Sequence, residues 1–186
     1  MTSRFPCLAL LALALAACKP QPQAAVPEVD APPPAATRPA STGTVEHTAE
    51  MPRLQVQTVD GKRYDLADHR GQWVLVNFWA TWCGPCLHEM PELSALHAMR
   101  GNIDVVGLAY EDIEPAEMQA FLEKHPVAYP IVILDPYDPP QDFATPRGLP
   151  VTYLIAPDGK VARQFLGPVD AAQVEQAIIA AGGKVE

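Results

Sequence analysis

Trp73-Val74-Leu75-Val76-Asn77-Phe78-Trp79-Ala80-Thr81-Trp82-Cys83-Gly84-Pro85-Cys86 is the stretch that decides how this chain folds. Its first eight residues are nearly unbroken apolar and β-prone, which predicts a central strand covered on both faces. A Cys-x-x-Cys follows where the strand ends and a helix, roughly Pro85 to Met99, begins. A cysteine at a helix N-cap faces unpaired amides and the positive end of the dipole, and both favour its thiolate. Cys83 is therefore the candidate nucleophile. Cys86, one turn in, is near enough to bond with it, and Pro85 suits a first turn that needs no amide hydrogen. Two other readings compete. A metal site needs more than two ligands, and no second Cys pair or His-x-x-His stands nearby to supply them. A permanent structural disulfide rarely closes so tight a ring at a helix start. The pattern points to redox chemistry.

On the amino-terminal side, Leu54 to Val59 alternates, Asp60-Gly61 signals a turn, and Lys62 to Leu66 answers it as a hairpin. On the carboxyl side, Gly101 stops the helix and Ile103 to Tyr110 reads as a second buried strand. Glu114 to His125 is helical, with Pro115 near its start and Met118, Phe121 and Leu122 on one face. Tyr129 to Leu134 is a short strand, and Asp135 to Pro150 an irregular, Pro-rich connection. Val151 to Ala156 and Lys160 to Leu166 form a hairpin across Pro157-Asp158-Gly159. Asp170 to Ala181 is a closing helix before Gly182-Gly183. This order predicts an α/β domain over 52–186, a central mixed sheet with helices on both faces and an N-terminal β-hairpin. Glu111 is a site candidate from this layout, because it follows a strand's carboxyl end, where sites in open α/β sheets gather.

Val76 to Cys86, with Glu89-Met90-Pro91 and Gly148-Leu149-Pro150-Val151-Thr152-Tyr153-Leu154-Ile155, resembles the thioredoxin superfamily. Within it the chain is similar to the membrane-tethered TlpA/ResA-like thiol–disulfide oxidoreductases, over about Arg53 to Ile179. The resemblance implies a thioredoxin-like fold and a cis-proline at Pro150 that lays a client backbone across the site. Trp82, Gly84, Pro85 and Leu149 would line it, with Trp79 in its wall. In thioredoxins a buried Asp handles the proton of the second cysteine; the matching residue here is Asn77, which cannot. TlpA/ResA-like members instead carry a glutamate three residues after that cysteine, as Glu89 stands here. An i+3 side chain leans back over the preceding turn, toward Cys86. His88 and His97, further along the helix, read as solvated. Tyr137 to Gln141 is an uncommon loop and a candidate for shaping client choice.

The resemblance implies a protein-disulfide reductase that needs no cofactor beyond the Cys83–Cys86 pair. Gly-Pro between the cysteines is the dipeptide of strongly reducing thioredoxin, and the wrong one for an oxidase. Members of the group reduce exported proteins, apocytochrome c among them, with electrons from a membrane thiol donor. The alternative from another class is a thioredoxin-fold copper-binding module, which typically has a three-residue gap and a distal histidine.

The remaining sequence sets the compartment. Met1 to Arg4 is a short positive region, and Leu8 to Ala17 contains only Leu and Ala, the length of a secretory signal core. A buried helix would show polar positions at a 3.6-residue period, and this run has none. Leu15-Ala16-Ala17-Cys18 resembles a bacterial lipobox, which makes 1–17 a signal peptide and Cys18 an acylated first residue. Cys7 would leave with the signal, so Cys83 and Cys86 are the two remaining thiols. Seven of the chain's 21 prolines fall between Lys19 and Glu50 with no aromatic residue, too little apolar surface to order itself, so 18–51 reads as a disordered tether. The expected place is a bacterial membrane, held by lipid, with a monomeric domain facing the periplasm. A formal charge of −9 over 186 residues argues against nucleic acid as a partner.

Overall fold

The computed structural model describes residues 44–186. The signal segment 1–17, Cys18 and most of the tether lie outside the described residues. The apolar run forms strand β3 (Trp73–Trp79), buried at all seven positions. It lies at the centre of a five-stranded sheet ordered β5-β4-β3-β6-β7, with β4 (Ile103–Tyr110), β5 (Ile131–Leu134), β6 (Val151–Ile155) and β7 (Val161–Leu166). β3, β4 and β5 run parallel, while β6 is antiparallel to β3 and to β7. The expected mixed sheet is present. The N-terminal hairpin forms a separate two-stranded sheet, β1 (Gln55–Gln57) and β2 (Arg63–Asp65), shorter than the alternation predicts.

The helices are α1 (Gly84–Met99), α2 (Pro115–Lys124) and α3 (Ala171–Ala180), plus a 3-10 helix at Leu66–His69. Helices stand on both faces, as expected, but unequally: the three α-helices share one face and the 3-10 helix lies on the other. Met90 and Leu93 of α1, Met118 of α2, and Val174 and Ile178 of α3 all join the core on the Trp73–Leu75–Trp79 face of the sheet. The connections β3-α1-β4 and β4-α2-β5 step in the same direction across the sheet, and right-handed crossovers then put both helices on one side. The other face, with Val74, Val76 and Phe78, is covered by Leu66 of the 3-10 helix, Tyr64 of β2 and Phe143 of the long connection. Each fully buried aromatic or aliphatic side chain contributes roughly 1.5–3 kcal/mol. Gly107 of β4 permits a close approach beneath the sheet: a Cβ there would stand 2.6 Å from Ile131 Cδ1 and 3.0 Å from Trp79 Nε1.

The amino-terminal boundary needs correction. Residues 45–50, which composition assigns to the tether, are bonded to the domain. Thr145 N–H donates to the Val45 carbonyl at 2.9 Å, Ala49 N–H to Asp142 O at 2.8 Å and Val161 N–H to Glu50 O at 2.9 Å. Thr48 Oγ1 accepts from Ala144 N–H and donates to Tyr153 Oη, both at 2.9 Å. Tertiary hydrogen bonds order this strap, since it has little apolar surface of its own.

Candidate active site

The chain leaves β3 and turns into α1 over Ala80–Cys83, which puts both cysteines at the carboxyl end of the central strand. Cys83 is the N-cap of α1, and its Sγ accepts from the Cys86 N–H at 3.3 Å. Cys83 and Cys86 form a disulfide, with Cα atoms 5.2 Å apart. Cys83 retains 5% of its surface exposed and Cys86 none, so an incoming group meets Cys83 first. Trp82 beside it is 70% exposed. Trp79 is a core residue packed on Phe121, with ring centroids 5.7 Å apart.

The bond between Leu149 and Pro150 is cis. Because β6 runs antiparallel to β3, Pro150 stands at the same end of the sheet as the disulfide. Pro150 is buried and Leu149 half-buried. The Pro150 carbonyl accepts from Gly167 N–H at 2.9 Å, which ties it to the connection between β7 and α3.

Glu89 is 3% exposed, on the inner side of α1 one turn after Cys86. Its Oε1 accepts from Asn77 Nδ2 at 2.8 Å and its Oε2 from Val169 N–H at 2.8 Å. Burial pushes its carboxyl up to about 7, while the bonds from Val169 and Asn77 draw it partly back. A carboxyl that titrates near neutrality can accept and return a proton at working pH. So deeply buried a carboxyl is not a solvated helix glutamate. Asn77, fully buried, also donates to Thr152 Oγ1 at 2.9 Å, and its own Oδ1 has no partner. Asn77 and Thr152 thus enter the site as a pair beyond the residues that the motifs alone mark. Their signal was available: each is a lone polar residue inside an otherwise apolar strand.

Glu111 is buried at the end of β4 and is not a solvated side chain either. Its Oε1 accepts from Thr81 N–H at 2.7 Å and its Oε2 from the Thr81 hydroxyl at 2.9 Å. It holds the backbone two residues before Cys83, a positioning contact. His97 departs from its solvated reading: its Nδ1 accepts from Val105 N–H at 3.2 Å and lies 3.7 Å from Asp104. His88 is exposed as expected.

A groove of about 860 Å³ lies elsewhere, between the β1–β2 hairpin and the entrance to β5, lined by Tyr64, His69, Leu122 and Tyr129. None of Cys83, Cys86, Trp82 or Pro150 lines it, so size alone does not mark the chemistry. Among the described residues no group of three or more His, Cys, Asp or Glu gathers as a metal site.

The AhpC/TSA family model matches residues 48–185. The chain is 31% identical over 131 residues to the thiol-disulfide oxidoreductase ResA of Bacillus thuringiensis (strain Al Hakam), covering 68% of this chain and 73% of that one. It is 30% identical over 132 residues to ResA of Bacillus subtilis (strain 168), covering 67% and 69%. A crystal structure of a thiol:disulfide interchange protein, a thioredoxin family protein from Chlorobium tepidum TLS, superposes with a TM-score of 0.60 at 25% identity, over 74% of this chain and 98% of that one. The chain belongs to the AhpC/TSA family, as a thioredoxin-fold thiol–disulfide oxidoreductase similar to ResA.

Proposed function

We infer that the protein runs as a reductase of disulfides in exported proteins, with Cys83 as nucleophile and Cys86 as resolving thiol. The observation that carries this is the pair itself: one sulfur at the helix N-cap with a trace of exposure, the other fully buried behind it. In the reduced enzyme the Cys83 thiolate attacks one sulfur of a client disulfide, a mixed disulfide forms, and one client thiolate leaves. Cys86 then gives its proton to Glu89 and attacks Cys83 Sγ. The Cys83–client bond breaks, the second client thiolate leaves, and the Cys83–Cys86 disulfide is restored. Two electrons pass from the enzyme's dithiol to the client, and no cofactor takes part. The cis bond at Pro150 and the exposed face of Trp82 support the expectation that the client backbone lies across this end of the sheet.

Gly84-Pro85 supports the reducing direction, since thioredoxin with that dipeptide sits near ~−270 mV. A reductase in an oxidising compartment needs a continuous thiol supply, and we assign that to a membrane thiol donor. The Leu/Ala run and the Cys18 lipobox support export and lipid anchoring, with the domain on the periplasmic side of a bacterial membrane. No helix among the described residues is long and apolar enough to cross a membrane. Apocytochrome c before haem attachment is the client class that the family resemblance favours.

Trapping tests the assignment. A Cys86→Ser variant, incubated in reduced form with an envelope extract, should retain clients through Cys83 and release them with dithiothreitol. Adducts on a Cys83→Ser variant in their place, or no adducts on either, would overturn it.

A further inference from the structure

The unpartnered Asn77 Oδ1 is a feature of the site that the exchange steps leave without a role. The amide of Asn77 is 0% exposed, and both hydrogens of Nδ2 are used, on Glu89 Oε1 at 2.8 Å and on Thr152 Oγ1 at 2.9 Å. A buried acceptor without a donor is costly, and such groups call for an explanation. While Glu89 is ionised the arrangement suits it, since each carboxylate oxygen receives one donor.

Protonation changes the count. Val169 N–H still needs an acceptor at Oε2, so the new hydrogen belongs on Oε1. There it would point at the Asn77 Nδ2 hydrogens, donor against donor. Half a turn of the amide about its last side-chain bond exchanges Nδ2 for Oδ1. Oδ1 has two lone pairs: one accepts the Glu89 O–H and the other the Thr152 O–H. Either orientation leaves one end of the amide unpaired, so neither is favoured by hydrogen-bond count alone. The proton on Glu89 decides between them.

We propose that Asn77 is a positioning residue whose side-chain amide turns over each time Glu89 takes up or gives back the proton of Cys86, so that both forms of the carboxyl stay hydrogen-bonded in a site closed to water. The proposal rests on Glu89 being the proton acceptor. It assigns a use to an amide at this strand position: a carboxylate would repel Glu89, and an aliphatic side chain would serve neither form. The other titratable groups around Glu89 are Cys86 and Cys83 on its own helix, Glu92 one turn on, Asp170 at the start of α3, and Tyr129, which feels the charge of Glu89. Glu92 is exposed and engaged by Ala171 N–H, and Asp170 is exposed and caps α3.

The test is nuclear magnetic resonance on the full-length reduced protein between pH 5 and 9. The Asn77 amide hydrogens should show contacts with the Thr152 side chain above the midpoint of Glu89, and these contacts should fade below it with the same midpoint. In Glu89→Gln the pH dependence should vanish. Contacts that persist unchanged while Glu89 titrates would overturn the proposal, even if Glu89 remains the base. Kinetics give a second reading. Asn77→Leu should slow resolution by Cys86 about tenfold, part of what one general base supplies, and leave the first attack by Cys83 unaltered. Equal slowing of both steps, or of neither, would also overturn it. Should Asn77→Leu not fold, the resonance experiment on the wild type decides alone.

Discussion

Replacing Glu89 by Gln should make the protein more stable at pH 8 and less stable, or unchanged, at pH 5. A carboxyl moved from its usual 4.5 to about 7 by burial carries a penalty of about 3 kcal/mol when ionised, at 1.36 kcal/mol per pH unit. The sign follows from proton affinity. The folded state holds this proton more tightly than the unfolded chain, so the contribution is fully present below pH 4.5. It declines as the pH rises to about 7 and is gone above. Gln never ionises, so the variant lacks that decline. Its amide still offers an acceptor to Val169 N–H, but the fit beside Asn77 is imperfect, at a cost of about 1 kcal/mol for one weakened buried bond. The variant should therefore lie close to the wild type near pH 5, where the wild type has already lost nearly the ~1 kcal/mol that the weakened bond costs the variant, and be more stable by about 2 kcal/mol at pH 8. Urea unfolding of both oxidised proteins from pH 5 to 8 reads the difference, and the carboxylates they share cancel. Parallel stability curves across this range would refute the burial of an ionised Glu89 as the cause.

Glu111→Ala leaves the half-buried Thr81 N–H and hydroxyl without their acceptor, and should cost about 1–3 kcal/mol in a denaturant titration; Thr81→Ala, which loses only the hydroxyl bond, should cost less. In the reduced protein at neutral pH, iodoacetamide should label Cys83 before Cys86, because Cys83 stands at the helix start with some surface exposed while Cys86 is fully buried. Peptide mass spectrometry checks this, and preferential labelling of Cys86 would reverse the two roles.

The strands and helices were legible because this chain punctuates them strongly: Asp60-Gly61, Gly101, Pro115 and Gly182-Gly183 each stand where an element turns or stops. The disulfide and the cis-proline segment were legible because each lies within a few residues in sequence. The environment of Glu89 was not, since its two partners, Asn77 and Val169, are 12 and 80 residues away. A glutamate on a helix is usually solvated, and only the folded connection between β7 and α3 shows that this one is not. The strap was hidden for a related reason. Val45, Thr48 and Glu50 belong to a polar, Pro-rich composition, and their order comes from Thr145, Tyr153 and Val161 about a hundred residues on. The uneven helix cover was a matter of strand order, which local pattern does not report.

The strap also determines how the domain responds to being pulled. Tension arriving along the chain from its amino-terminal side reaches Val45 before any sheet strand. There it meets the paired bonds with Thr145, Thr145 N–H to Val45 O and Val45 N–H to Thr145 Oγ1, each 2.9 Å long. Val45 would peel first, and Thr48 and Ala49 would then be loaded in turn, like a zipper opened from one end. Thr145 is only four residues before Leu149, so such a pull is felt first in the segment that leads to Pro150, before Thr48 and Glu50 pass it on to Tyr153 of β6 and Val161 of β7.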